Sequence, residues 1–255
     1  MDLEVLLLAA AGGALVGFLL TLFGGGGSVL ATPWLIYVVG LADTHVAIGT
    51  SAAAVAVNAA AGLVAQGRAG KVKWPCATVF ALGGLSGALI GAHIAKQIDG
   101  HALLSWFAFA MIVVALSMLV PRRSEGDPGV HLTPALVLKL APVGLFTGLA
   151  AGFFGIGGGF LIAPGLMAST GMTLANAGAS SLVSVALFGS ATSASYAASG
   201  LVSWTLFGAL VLGGIAGTFG AMPVSRGLAG QPRVARSLFA LLVICVAAYI
   251  LLSGR

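Results

Sequence analysis

Apolar residues run along this chain in long blocks, separated by short breaks that gather most of its charges. Ten blocks can be drawn: residues 5–23, 27–40, 45–65, 74–95 and 101–120, then 132–154, 158–170, 174–198, 203–223 and 234–252. Most reach the roughly 20 residues that a helix needs to cross a bilayer, so they predict membrane-spanning helices. Blocks 27–40 and 158–170 are too short for a comfortable span. Each predicts a short tilted helix, or a re-entrant hairpin formed with the block before it. The stretch Pro121-Arg122-Arg123-Ser124-Glu125-Gly126-Asp127-Pro128-Gly129 reads as a solvated linker. The chain starts Met1-Asp2-Leu3-Glu4, acidic where a signal peptide would be basic, so block 5–23 is expected to be a membrane segment and not a cleaved leader.

Two of the breaks carry glycine instead of charge. Phe23-Gly24-Gly25-Gly26-Gly27-Ser28 and Phe154-Gly155-Ile156-Gly157-Gly158-Gly159 are each followed, at the same distance, by a proline, Pro33 and Pro164. Glycine clusters are poor helix formers, and a broken backbone at membrane depth needs something to line. Matched breaks in the two halves of a membrane chain point to a transporter's binding site.

The elbows belong to a repeat. At an offset of 131 residues, Gly13, Gly17, Leu30 and Gly40 match Gly144, Gly148, Leu161 and Gly171; at 130, Ser51, Gly70, Val72 and Trp74 match Ser181, Gly200, Val202 and Trp204. Residues 1–120 are therefore expected to form a first repeat, 121–131 a cytoplasmic linker, and 132–255 a second repeat. Unequal charge in matching loops sets their relation. Loop 66–73 carries Arg68, Lys71 and Lys73, whereas its partner near 199–203 carries none; Arg226, Arg233 and Arg236 follow block 203–223, whereas the partner near 96–101 sets Lys96 against Asp99. Parallel repeats would place a basic loop on both faces. Inverted repeats gather 66–73, 121–131 and 225–236 on one face, which the positive-inside rule makes cytoplasmic and leaves both termini periplasmic. The expected fold is all-α and polytopic: two inverted repeats of about five membrane segments each, with glycine-broken short helices or re-entrant hairpins.

Composition agrees. Hydrophobic residues make up 59% of the 255 positions and charged residues 7%, against about 25% charged in soluble domains. The net charge of +5 lies in scattered loop residues, without the dense basic run that nucleic acid requires. Cys76 and Cys245 lie singly in apolar blocks and form neither a disulfide framework nor a metal motif. No cofactor is expected.

A break inside a membrane helix frees backbone N–H groups at the next helix's start, an end that carries about half a positive charge and suits a small anion. Gly25, Gly26, Gly27 and Ser28 would supply these donors in the first repeat, and Ile156, Gly157, Gly158 and Gly159 in the second. Hydroxyls and an amide on neighbouring blocks can replace part of the anion's hydration: Thr50, Ser51 and Asn58, and in the second half Ser180 and Ser181. Trp34, beside Pro33, is the tryptophan that could face the substrate; Trp74, Trp106 and Trp204 read as interface anchors. Gly83-x-x-x-Gly87-x-x-x-Gly91 and Gly144-x-x-x-Gly148-x-x-x-Gly152 offer small faces for close helix packing. Among ionisable groups, His93 is the candidate for coupling to protons, and Lys139 can snorkel to the cytoplasmic face.

The doubled pattern FG-x-GG, then proline, a Thr-Ser or Ser-Ser dipeptide, and Gly-x-Val-x-Trp (Gly70 to Trp74, Gly200 to Trp204) resembles the TauE/SafE sulfite exporters, also called 4-toluene sulfonate uptake permeases. The resemblance spans residues 10–225. It implies a bacterial inner-membrane transporter for sulfur oxyanions such as sulfite, sulfoacetate, other sulfonates or thiosulfate, without choosing among them. Two other classes compete. A passive anion channel also uses helix ends and hydroxyls. An intramembrane serine protease would need a histidine beside Ser180 or Ser181, yet His45, His93, His101 and His131 all precede the second repeat.

Overall fold

The computed structural model describes residues 3–119, 126–155, 159–228 and 232–253. These form ten α-helices: α1 Leu3–Phe23, α2 Ala31–Tyr37, α3 Thr44–Arg68, α4 Trp74–Ala95, α5 Gly100–Leu119, α6 Pro134–Phe154, α7 Gly159–Thr170, α8 Leu174–Ala197, α9 Trp204–Leu228 and α10 Pro232–Ser253. Six stretches among the described residues are long and apolar enough to cross a bilayer, the first running from Leu3 through α1 and α2 to Tyr37.

Local chemistry fixes several helix starts. The Asp43 carboxylate accepts the N–H groups of His45 and Val46 at 2.8 and 3.1 Å, capping α3. Thr133 and Thr173 cap α6 and α8 through the N–H groups of Leu136 and Asn176, both at 3.3 Å. At the ends of α1 and α6 the chain turns through a left-handed residue, Gly24 (φ 68°) and Gly155 (φ 67°). A side chain would oppose that conformation, which is why each elbow begins with glycine. After Gly24 the first elbow does not open into a loop: Gly24–Leu30 winds as a 3-10 helix directly into α2. With about three residues per turn, its four glycines point to different neighbours.

Glycine also sets the helix seams. On α4 and α6, Gly87 and Gly91 lie against the carbonyls of Leu145 and Leu149, while Gly144, Gly148 and Gly152 lie against those of Phe80, Gly84 and Ala88. On α1 and α9, Gly13 and Gly17 meet the carbonyls of Leu210 and Gly214, and Gly213 and Gly217 meet those of Ala10 and Ala14. In both pairs the contacts advance together along the two chains, so the helices run parallel. The two glycine stripes noted in the sequence therefore face each other and bring backbones together. In contrast, α3 and α8 run antiparallel: Gly49 lies against Tyr196, Gly189 against Ala52 and Ala56, and Gly62 against Leu182. Helices α5 and α10 pack on each other. Trp74, Trp106 and Trp204 are exposed, as anchors in a lipid interface would be.

These seams tolerate little added volume. Gly148→Ile would push a branched side chain into the Gly84 carbonyl and force α4 from α6. Overpacking of this kind costs about 1–3 kcal/mol. The variant is expected to melt several degrees lower in detergent; an unchanged melting temperature would show that the seam does not carry stability.

Candidate functional site

The two elbows meet. The Gly159 α-carbon, at the start of α7, packs against the Gly25 carbonyl of the first elbow. Ser181 on α8 stands beside this contact, and its Oγ accepts the Gly25 N–H at 3.0 Å while donating to the Gly178 carbonyl at 2.7 Å. Ser28 Oγ donates to the Gly25 carbonyl at 2.9 Å. One turn further on, Thr32 Oγ1 lies 2.7 Å from Ser51 Oγ on α3. Ser51 already donates to the Ile48 carbonyl at 3.0 Å, so its single proton is spent and Thr32 must be the donor between the two hydroxyls. Ser28, Thr32, Ser51 and Ser181 are all fully buried.

The group so formed is Gly25, Ser28, Thr32, Ser51, Gly159 and Ser181. It contains no formal charge, and its polarity comes from hydroxyls and backbone. Ser51 and Ser181, which match at the 130-residue offset, make the same bond to their own helices, each donating to the carbonyl three residues earlier. Each belongs to a long helix that supports the elbow.

Other residues expected at the site are engaged elsewhere. Thr50 Oγ1 accepts the Ser203 N–H at 2.9 Å, and Ser180 Oγ accepts the Lys73 N–H at 2.9 Å. These are matching bonds, each fastening one half to the start of a helix in the other, α9 and α4. Trp34 faces α1, where its indole N–H donates to the Leu8 carbonyl at 2.9 Å and its ring covers Gly12. Asn58 donates to the Leu210 carbonyl of α9 at 3.3 Å. Gly26 faces the Phe239 ring of α10, and Gly27 packs against the backbone of Leu19 and Leu20 in α1. His93 is exposed at the end of α4 and pairs with Gln97 at 3.2 Å. Lys139 is exposed, which leaves it free to snorkel. Ile156, Gly157 and Gly158 lie outside the described residues.

Sequence reading passed over two positions. Thr32 lies one helical turn beyond Ser28, and hydroxyls at that spacing share a face. Ser184 follows Ser181 by three residues and adjoins Val185, whose side chain touches Gly25. Ser184 is fully buried, and its hydroxyl has no hydrogen-bond partner among the described residues. A buried orphan hydroxyl is costly unless something else occupies it.

Apolar helices of membrane length, two of them broken and meeting beside buried hydroxyls, define a multi-pass α-helical membrane protein with a polar group enclosed between its helices. Comparison with known proteins names the family. The chain matches the sulfite exporter TauE/SafE family over residues 9–250, belongs to that family, and is one of its membrane transporters. It is 44% and 45% identical to probable membrane transporter proteins from two strains of Xylella fastidiosa, covering 98% of this chain and 97% of each relative. It is also 26% identical to the probable membrane transporter protein YunE of Bacillus subtilis, over 61% of this chain and 64% of that one. No solved structure matches the chain.

Proposed function

We propose that this protein is a secondary transporter of small sulfur-containing oxyanions, such as sulfite, thiosulfate, sulfoacetate and taurine-derived sulfonates, and that it exports them across the bacterial inner membrane. The observation that carries this reading is the hydrogen bond from the Gly25 N–H to Ser181 Oγ, formed where the two elbows touch. An oxyanion oxygen can replace the serine oxygen as acceptor for that N–H, and the Ser181 hydroxyl donates to the same anion once it turns from the Gly178 carbonyl. Thr32 and Ser184 would complete the shell, with Ser51 joining once its proton turns from the Ile48 carbonyl. Neutral donors of this kind replace hydration without burying a permanent opposite charge, so the anion can leave again. Gly25, Ser28, Thr32, Ser51 and Ser181 are hydrogen-bonded within the protein, and Ser184 alone of the proposed shell has no partner among the described residues.

The repeats are proposed to be inverted. Helices α3 and α8 occupy corresponding places in the duplicated sequence and run antiparallel, and the loop charges favour the same arrangement. Residues 1–120 and 132–255 would then rock about the elbows in alternating access, with the linker 121–131 cytoplasmic and both termini periplasmic. A sulfite-like anion can carry its own proton near neutral pH, so coupling to protons would not require His93.

Flux from proteoliposomes loaded with sulfite tests the reading. Saturable efflux, competed by sulfonates but not by simple carboxylates, is expected. Flux that rises without saturation at channel-like turnover would replace the carrier with a passive channel, and no sulfite flux at all would remove the substrate class.

A further inference from the structure

The walls of the first elbow are not alike. Gly24 is closed by the Gly178 backbone, Gly27 by the backbone of Leu19 and Leu20, and Gly25 by the Gly159 backbone together with Val185 and Ser181. At Gly26 the neighbour is instead a ring: Phe239 Cζ and Cε2 lie 2.6 and 2.8 Å from where a β-carbon on residue 26 would stand. Phe239 is 4% exposed and also packs on Phe23, with ring centroids 5.2 Å apart. It therefore covers the elbow at the residue next to Gly25, whose N–H we assign to the anion. Aromatic packing recurs at the described residues that flank the second elbow. Phe107 of α5 packs on Phe154 at 5.7 Å, and edge-on against Phe160 of α7 at 5.7 Å. Since α5 and α10 pack together, Phe107 and Phe239 come from one helix pair outside the glycine seams.

We propose that Phe239 is a specificity-determining residue: its ring limits the size of the organic group that an oxyanion can carry into the first elbow. The proposal rests on the oxyanion reading of the site. A sulfonate presents three oxygens at one end and an organic group at the other. With its oxygens at Gly25 and Ser181, an organic group that extends along the elbow toward the next residue meets the Phe239 ring beside Gly26. There the obstacle is the far end of a side chain, which substitution can shorten, and not backbone that must stay. Trimming the ring leaves an apolar space lined by Phe23, suited to an aryl group and of no benefit to sulfite.

The test uses the full-length protein in proteoliposomes and two probes, methanesulfonate and benzenesulfonate, as competitors of sulfite efflux. Wild type is expected to favour methanesulfonate. Phe239→Ala should shift the ratio of the two inhibition constants toward benzenesulfonate by about tenfold or more, and Phe239→Leu by less, since apolar pockets discriminate by about 10–200-fold per methylene. If Phe239→Ala does not fold, Phe239→Leu, with its smaller change in volume, decides the matter. An unchanged ratio in a folded variant overturns the proposal. Absence of saturable sulfite flux in wild type overturns the underlying reading instead, so the two failures are distinguishable.

Discussion

Gly159→Ala is expected to abolish sulfite flux and to lower the melting temperature, although it adds a single methyl group. The methyl would land on the Gly25 carbonyl, 2.6 Å from the Gly25 α-carbon. Both partners in that contact are backbone, and each is held by its own helix, so no side chain can turn aside. Overpacking in a closed contact costs about 1–3 kcal/mol. Here the strain falls on the Gly25 carbonyl, across the same α-carbon from the N–H that Gly25 donates to Ser181. Gly62→Ala on α3 provides the control, because its methyl meets Leu182 Cδ1 at an ordinary 3.5 Å. Alanine within a helix gains about 0.5–1 kcal/mol over glycine, so that variant should melt at or above wild type and keep its flux. Melting in detergent and efflux from liposomes decide the matter. Wild-type flux through Gly159→Ala would separate the elbow contact from function.

The helices were legible in the sequence because apolar length is a local property. Blocks 74–95 and 174–198 agree with α4 and α8 to within a residue, and Asp43 and Thr173 sit at the helix starts they cap. Glycine at the seams was legible for the same reason: a stripe at every fourth residue has one evident use. The detailed site was less so. Thr50-Ser51 and Ser180-Ser181 are adjacent hydroxyl pairs, and neighbours on a helix point about 100° apart. One member of each pair faces the elbow region and the other braces a helix start in the opposite half. Only the tertiary neighbour decides which does which. Trp34 is a similar case, since its polar edge finds the Leu8 carbonyl on a helix 26 residues away. The 3-10 winding of Gly24–Leu30 also escaped, because a glycine run specifies flexibility and leaves the packing around it to choose the form.

Ser181→Ala and Ser184→Ala should move stability in opposite directions, even though each removes one buried hydroxyl from the same helix. Ser181 accepts the Gly25 N–H, so alanine there leaves a buried donor without a partner, at a cost of about 1–3 kcal/mol. At about 2–4 °C per kcal/mol for a chain of this size, the melting temperature should fall measurably. Ser184 has no partner among the described residues and already bears that desolvation cost, so alanine should leave the substrate-free protein as stable or raise it by about 1 kcal/mol. The order changes when substrate is present. If Ser184 donates to the anion, its loss weakens binding, and the stabilisation conferred by a fixed sulfite concentration shrinks with the ratio of concentration to Kd. Ser184→Ala should therefore melt high without sulfite and gain little from it, a combination that a residue serving only packing would not produce. A full sulfite-induced shift in Ser184→Ala would exclude it from the anion's shell. A rise in melting temperature for Ser181→Ala would mean that Gly25 finds another acceptor, and the bond between elbow and α8 would lose its place in the mechanism.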